Sequence, residues 1–238
     1  MFFFALLLLM SLNIFAAISE DAVFLQATKP LFIPVFLVFY FIKNKIINLL
    51  FVLFLVSSFV GDAAFVFVSS YTVEKSSNLM YFMSYICLIG IIVSKFNLVK
   101  IDKVVGIYLV FMFLINAYFL YLLYKILKIM IADNAEVLIF GLKSASLIIL
   151  LLVSFGAYLA KDSALSILFL MLGLCFFFSD ILNYITSYYL YDWRFVMIDR
   201  LLHATGLFFL FNYIAEANKI VKEPAVNQGR VPSENLLA

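Results

Sequence analysis

Two aspartates lie inside long apolar segments of this chain, where an ionised side chain is costly. Asp62 stands in the stretch SSFVGDAAF, and Asp180 stands in FFFSDIL. A carboxylate near the centre of a bilayer costs at least about 2.5 kcal/mol. Two carboxyl groups can divide acid–base work, because one donates a proton while the other, ionised, stabilises a cation or activates water. The pair is therefore the first candidate for a catalytic site in this sequence.

The composition places both aspartates in a membrane protein. Of the 238 residues, 67% are hydrophobic and 13% are charged, whereas a soluble domain is about half apolar and a quarter charged. The formal net charge of +2 excludes the strongly basic surface of a nucleic-acid-binding protein. Cys87 and Cys175 stand singly in apolar stretches, so they indicate neither a disulfide framework nor a metal site. No cofactor is expected.

Eight apolar segments predict an all-α fold, a polytopic membrane bundle of about eight transmembrane helices, because backbone in lipid must satisfy its hydrogen bonds internally. A helix needs about 20 residues to cross the hydrocarbon core, so the second and fourth segments look short. The segments are residues 2–18, 30–42, 46–69, 79–93, 104–124, 136–159, 164–190 and 195–215. Residues 1–218 form the predicted transmembrane domain, and the polar residues 219–238 form a predicted disordered cytoplasmic tail.

Lys and Arg are more numerous in the loops on the side of the two termini, which predicts that both termini are cytoplasmic. The first segment could be a signal peptide, but it lacks a basic start, so we expect it to be retained as a helix. The expected location is the inner, cytoplasmic membrane of a bacterium.

Further polar side chains fall at a depth similar to that of the two aspartates. Buried charges pair with one another or face water, so we predict one polar cavity that opens toward the non-cytoplasmic side. The side chains expected there are Asn116, Tyr118, Lys143, Asn183, Tyr184, Asp199, Arg200 and His203.

Each of these residues could instead have a purely structural role. The aspartates could lock a helix–helix contact, Lys143 could merely neutralise one of them, and His203 could hydrogen-bond a neighbour. Asp199 and Arg200 could be an ordinary ion pair at the membrane surface. Asparagine at either buried aspartate should preserve the fold, because it removes a charge from the membrane.

Three short patches resemble the YhhN family of multi-span membrane proteins, whose characterised members are lysoplasmalogenases. Residues 28–31 (TKPL) resemble the Lys-Pro opening of the family's second helix. The stretch FVGD, which ends at Asp62, resembles its Gly-Asp signature, and residues 172–182, around Asp180, resemble its Gly…Ser-Asp signature. The resemblance covers most of the chain in topology. Tyr85 stands where the family commonly has a histidine, and residues 202–205 (LHAT) stand in place of a Tyr-x-x-Ala-Gln pattern.

The resemblance implies a membrane hydrolase that cleaves the vinyl ether bond of a lysoplasmalogen or a related lysolipid. Such a reaction needs a general acid that protonates the alkene carbon, and a carboxyl group in apolar surroundings can keep its proton near neutral pH. Asp62 and Asp180 would be catalytic, and the substrate-binding residues would be Lys29, Lys143, Asn183, Tyr184 and His203. The expected partner is a membrane lipid or lysolipid, with no nucleic acid and no metal. The oligomeric state stays open. The alternatives are a transporter and a lipid-binding protein without chemistry.

Overall fold

The computed structural model describes residues 2–19, 21–43, 48–67, 72–95, 102–160 and 163–227, and every regular element within these ranges is a helix. The predicted all-α class is therefore confirmed for the described residues. The helices are α1 (Phe2–Ser19), α2 (Ala22–Thr28), α3 (Phe32–Lys43), α4 (Leu49–Phe67), α5 (Thr72–Lys95), α6 (Lys103–Met130), α7 (Asn134–Ala160), α8 (Ala164–Tyr188) and α9 (Trp193–Asn227), with a 3₁₀ turn, Lys29–Leu31, between α2 and α3.

Six helical runs among the described residues are long and apolar enough to cross a membrane, which indicates an integral membrane protein with a helical bundle. The runs are Val23–Ile42, Lys75–Ser94, Lys103–Met130, Asn134–Ala160, Ala164–Tyr188 and Trp193–Asn218. Two apolar helices, Phe4–Ser19 and Leu49–Ala64, are shorter. The eight apolar segments of the sequence thus correspond to six long helical runs and two short ones.

Several helix boundaries differ from the sequence prediction, most clearly at the start of α5 and at the end of α9. α5 begins at Thr72, and α9 runs to Asn227, so helical backbone covers the beginning of the segment that was predicted to be a tail. Residues 228–238 of that segment lie outside the described residues. Hydropathy marks only the apolar part of a helix, and a helix that leaves the hydrocarbon region can continue through polar residues.

The second predicted segment is short because it begins at a 3₁₀ turn, Lys29–Leu31, and leaves out α2, which precedes that turn. Asp21 caps α2 by accepting hydrogen bonds from the backbone N–H groups of Val23 and Phe24. Pro30 lies at the start of the 3₁₀ turn. Backbone N–H groups at this position have no helical acceptor, so the absence of an N–H group in proline costs no hydrogen bond. The turn places Lys29 beside α4 and α5, where the candidate site lies.

The bundle packs tightly around a core formed by residues of α1, α3, α4, α5, α7, α8 and α9. α8 lies along α9, α4 lies along α5, and α5 also contacts α7. Glycines allow two of these close approaches. A Cβ atom at Gly206 would lie 2.8 Å from Cε1 of Phe176, and one at Gly61 would lie 3.3 Å from Cδ2 of Tyr81.

α6 differs from the other long helices because it packs mainly along α7 and leaves most of its apolar side chains exposed. Leu127 is buried near the end of the helix, whereas Ile107, Phe111 and Leu114 are exposed. An exposed apolar helix in a membrane protein is expected to face lipid. α6 therefore presents most of its apolar side chains away from the rest of the bundle.

Candidate functional site

Asp62 is held in an ion pair with a lysine from another helical segment. Its side chain is fully buried, and Lys29 Nζ lies 3.2 Å from Asp62 Oδ1. The hydroxyl group of Tyr81, on α5, donates a hydrogen bond to the same oxygen, and Lys29 Nζ lies 5.2 Å from the centre of the Tyr81 ring. Asp62 Oδ2 has no hydrogen-bond partner among the described residues. Gly61 lies directly against Tyr81, and a Cβ atom there would approach Cδ2 of its ring to 3.3 Å, which is a tight contact.

Asp180 has a lysine of its own. Lys143 Nζ, from α7, lies 2.6 Å from Asp180 Oδ1 and 5.0 Å from the centre of the Phe140 ring. The Lys143 side chain is 3% exposed and that of Asp180 is 13% exposed. Each predicted catalytic aspartate is thus paired with an ammonium group. Ion pairing therefore does not show which of the two would be the proton donor and which the ionised carboxylate.

A third carboxyl group, that of Asp199, is buried beside these pairs. The hydroxyl group of Ser179 donates a hydrogen bond to Asp199 Oδ1. Asp199 and its neighbour Arg200 are 5% and 8% exposed, and no ion pair joins them within the described ranges. The pair expected at the membrane surface is thus two buried side chains that do not bond each other.

His203 is also buried, and it lies against two aromatic rings. Its ring centre is 5.3 Å from that of Phe176 and 6.3 Å from that of Tyr81. Nε2 has no hydrogen-bond partner in the part of the chain that the structure describes. Nε2 therefore does not make the hydrogen bond to a neighbour that a purely structural role would require.

Two polar cavities connect these groups. A larger one, of about 210 Å³, is lined by Asp62, Tyr184 and Arg200 among others. A smaller one, of about 40 Å³, is lined by Tyr81, Asp180 and His203 among others. Five side chains line both cavities: Lys29, Asn78, Lys143, Asn183 and Asp199. The structure therefore brings all seven predicted site residues to the walls of two adjoining cavities.

An apolar groove of about 440 Å³ runs between α6, α7 and α8. It meets the small polar cavity at Asp180 and the large one at Phe140 and Tyr184, because these residues line both spaces. Asn116 lies in this groove and donates a hydrogen bond to the Met112 carbonyl oxygen at 2.8 Å.

The contribution expected from α6 to the polar cavity is absent among the described residues. Asn116 lines the apolar groove and neither polar cavity, and Tyr118 is 60% exposed. α6 packs mainly along α7, and none of its residues lines either polar cavity. Depth along the sequence does not report this peripheral position.

Three contacts of the site were not predicted from the sequence. Tyr81 and Ser179 each bond a carboxylate, and Asn78 lines both polar cavities. The sequence carries no specific signal for Tyr81, since it is one of 14 tyrosines. Ser179 precedes Asp180 directly, so its position in the predicted Ser-Asp signature was the one available indication.

The chemistry available to this arrangement is proton transfer and charge stabilisation by carboxyl groups. Three carboxyl groups, two ammonium groups, a guanidinium group and an imidazole face the two cavities. Within the described residues, no group of three His, Cys, Asp or Glu side chains is placed to hold a metal ion.

The chain matches no family model, no curated protein and no solved structure.

Proposed function

We propose that this protein is an integral membrane hydrolase that cleaves the vinyl ether bond of a lysoplasmalogen or a related lysolipid, as the resemblance to the YhhN family implies. The observation that carries the proposal is the junction of an apolar groove with carboxyl-lined polar cavities at Asp180. An amphiphile that enters from the bilayer would place its hydrocarbon chain in the groove and its polar end in the cavities. The bond that joins chain and headgroup would then lie next to the carboxyl groups.

In the proposed topology the chain crosses the membrane eight times, with both termini in the cytoplasm. The six long helical runs and the two shorter apolar helices, Phe4–Ser19 and Leu49–Ala64, would be the spans. The larger number of basic residues in the loops on the side of the termini supports this orientation.

The reaction would begin with transfer of a proton from a carboxyl group to the alkene carbon. The resulting oxocarbenium ion takes up water, and the hemiacetal collapses to an aldehyde and a glycerophospho-alcohol. An ionised carboxylate beside the cation lowers the barrier, as in glycoside hydrolysis. Asp180 suits that role, because it lies at the junction and pairs with Lys143.

The proton donor would be Asp199 or Asp62. The two differ in whether protonation would disrupt an ion pair. A proton on Asp62 would weaken its ion pair with Lys29. Asp199 takes part in no ion pair among the described residues, and its contact is the hydroxyl group of Ser179. Asp199 is therefore the donor that we favour, with Asp62 and Asp180 as the ionised carboxylates.

The test is incubation of the full-length protein, purified in detergent, with a panel of vinyl-ether lysolipids. Mass spectrometry should detect the released aldehyde. Asp199→Asn should lower the rate by roughly 10²- to 10⁴-fold, as loss of a general acid does, while the binding of an uncleavable alkyl-ether lysolipid is kept. The matched control is Asp192→Asn in the exposed loop after α8, which should turn over at the normal rate.

Two results would contradict parts of the proposal. If the wild-type protein releases no aldehyde from any member of the panel, it is not a vinyl-ether hydrolase. If it does release aldehyde and Asp199→Asn is equally active, the acid is another carboxyl group, and Asp62→Asn becomes the deciding variant.

A lipid-binding protein without chemistry is the second candidate, because the same groove and cavities would hold a lysolipid that is not cleaved. Tight binding of the alkyl-ether lysolipid together with complete absence of aldehyde release would favour it over the hydrolase.

A further inference from the structure

Arg200 is a buried cation, and two of its nitrogen atoms have no hydrogen-bond partner among the described residues. The residue is 8% exposed, and it lines the large polar cavity. Its Nε and Nη1 atoms have no hydrogen-bond partner among the described residues, and none of the ion pairs found there includes it. A guanidinium group removed from water without compensating bonds is strongly unfavourable. A missing partner in the cavity would supply those bonds.

The other charged groups of the cavities are already engaged. Lys29 pairs with Asp62, and Lys143 pairs with Asp180. Asp199 accepts a hydrogen bond from Ser179. The remaining lining groups of the large cavity near these charges are mostly neutral donors and acceptors: Gln26, Asn78, Asn183, Thr186, Ser187 and Tyr191. Arg200 is thus the cation of this cavity that forms no ion pair within the described ranges.

The chemistry of a guanidinium group identifies the kind of partner. Its planar N–H groups match the oxygens of a phosphate in a bidentate geometry, which is why arginine is used so often for phosphate recognition. The cavity holds about 210 Å³, whereas one water molecule takes about 30 Å³, so a phosphate group and part of its substituent fit.

We propose that Arg200 binds the phosphate group of a single-chain amphiphile. Tyr184 and Phe140 line both the large cavity and the apolar groove, so one molecule can occupy both spaces, with its phosphate at Arg200 and its chain in the groove. This placement of the chain rests on the proposed function, whereas the phosphate contact does not require any hydrolysis. The polar end of the substrate would be selected by Arg200, and the neutral donors around it would contact the group attached to the phosphate.

The experiment measures binding to the purified full-length protein with three probes. The first is a 1-O-alkyl lysophospholipid, which has no vinyl bond and is not cleaved. The second is the 1-O-alkylglycerol of the same chain length, which lacks the phosphate, and the third is inorganic phosphate. The lysophospholipid should bind more tightly than the alkylglycerol. Arg200→Gln should weaken binding of the lysophospholipid by about 10- to 100-fold and leave binding of the alkylglycerol unchanged.

Two further variants sharpen the result. Arg194→Gln removes an arginine that is 68% exposed and paired with Asp192, so it should bind all three probes as the wild-type protein does. Arg200→Lys retains the charge but loses the planar fork, and it should lie between the wild-type protein and Arg200→Gln. If Arg200→Gln does not fold, Arg200→Lys provides the comparison, and a normal affinity for alkylglycerol shows that its groove is intact.

The outcomes separate the sources of the phosphate. Equal binding of lysophospholipid and alkylglycerol, together with Arg200-dependent binding of inorganic phosphate, would mean that the site takes free phosphate, and the lipid assignment would fall. Equal affinity of the wild-type protein and the Arg200 variants for the lysophospholipid would overturn the phosphate site. Arg200 would then be neutralised internally, for example through water to Asp62 Oδ2.

The proposed function is tested separately by aldehyde release. Arg200-dependent binding without any aldehyde release would leave the phosphate site standing and reject the hydrolase. Aldehyde release with a KM that Arg200→Gln does not change would keep the hydrolase and reject the phosphate site.

Discussion

Replacing Asp180 by asparagine should destabilise the folded protein, although the loss of a charge from the membrane suggests the opposite. Lys143 is 3% exposed, and its ammonium group lies 2.6 Å from Asp180 Oδ1. Asparagine removes the carboxylate and leaves this ammonium group buried without a counter-ion. Loss of one partner of a buried ion pair costs about 3–5 kcal/mol. Because the Asp180 side chain is 13% exposed, water can replace part of the interaction, and we expect the lower end, about 3 kcal/mol.

The complementary variant, Lys143→Met, should be destabilising for the same reason, since it leaves the carboxylate of Asp180 without its cation. The double variant removes both charges and should be more stable than either single variant, because neutral replacement of a buried pair is often harmless. The expectation that asparagine preserves the fold is therefore restricted to a background that also lacks Lys143.

The measurement is the free energy of unfolding in mixed micelles, obtained by titration with a denaturing detergent and followed by circular dichroism. A matched control is the exposed pair of Lys75 and Asp133, with an N–O distance of 3.1 Å and side chains that are 37% and 40% exposed. The backbone N–H group of Ala135, and then Lys75, lower the pKa of the Asp133 carboxyl group, so this carboxyl group is ionised at neutral pH. Asp133→Asn should cost less than about 1 kcal/mol.

The reasoning would be refuted if Asp180→Asn and Lys143→Met both unfolded at the same detergent fraction as Asp133→Asn. A double variant whose loss of stability equals the sum of the two single-variant losses would also count against it, because the two side chains would then not be coupled.

Three further predictions concern packing, the second carboxylate and topology. Gly206→Ala should destabilise the protein by about 1–3 kcal/mol, since the new Cβ atom would lie 2.8 Å from Phe176; Gly106→Ala, with nothing within 4 Å, should be neutral or slightly stabilising in the same unfolding titration. Tyr81→Phe should cost about 2 kcal/mol, the value of a hydrogen bond to a charged group, because Asp62 loses a donor; no change in the unfolding titration would mean that water replaces the hydroxyl group. A cysteine introduced into the loop between α6 and α7, in a cysteine-free background, should react with an impermeant reagent only from the non-cytoplasmic side, and labelling from the cytoplasm would reverse the topology.

The amino-acid sequence by itself determined the class of the protein and the location of its helices. A bilayer excludes water from the backbone, so apolar segments have to be helical, and hydropathy locates them without any tertiary information. The same argument identified Asp62 and Asp180 as candidates, because a charged side chain in the hydrocarbon region carries a high free-energy cost. The structure holds both in ion pairs, Asp62 fully buried and Asp180 partly buried, and pairing is the condition under which a membrane protein can keep such charges.

Helix ends and interruptions were less accessible from the sequence. α5 begins at Thr72, before the apolar part that hydropathy detects, and a 3₁₀ turn at Lys29–Leu31 joins α2 to α3 at the start of the second segment. Polar residues continue a helix as readily as apolar ones once its hydrogen bonds are under way, so hydropathy marks the membrane-embedded part and not the whole helix.

Only the tertiary structure decided which groups meet. Lys29 pairs with Asp62 and Lys143 with Asp180, and nothing in the sequence excludes the exchanged pairing. Asp199 and Arg200 are buried although they lie near the start of α9. Depth along a helix follows from counting residues, but the direction of a side chain depends on how each helix is rotated and how closely it approaches its neighbours. Contacts between side chains distant in the sequence set those rotations, as at Gly206 and Phe176, and no local pattern encodes them.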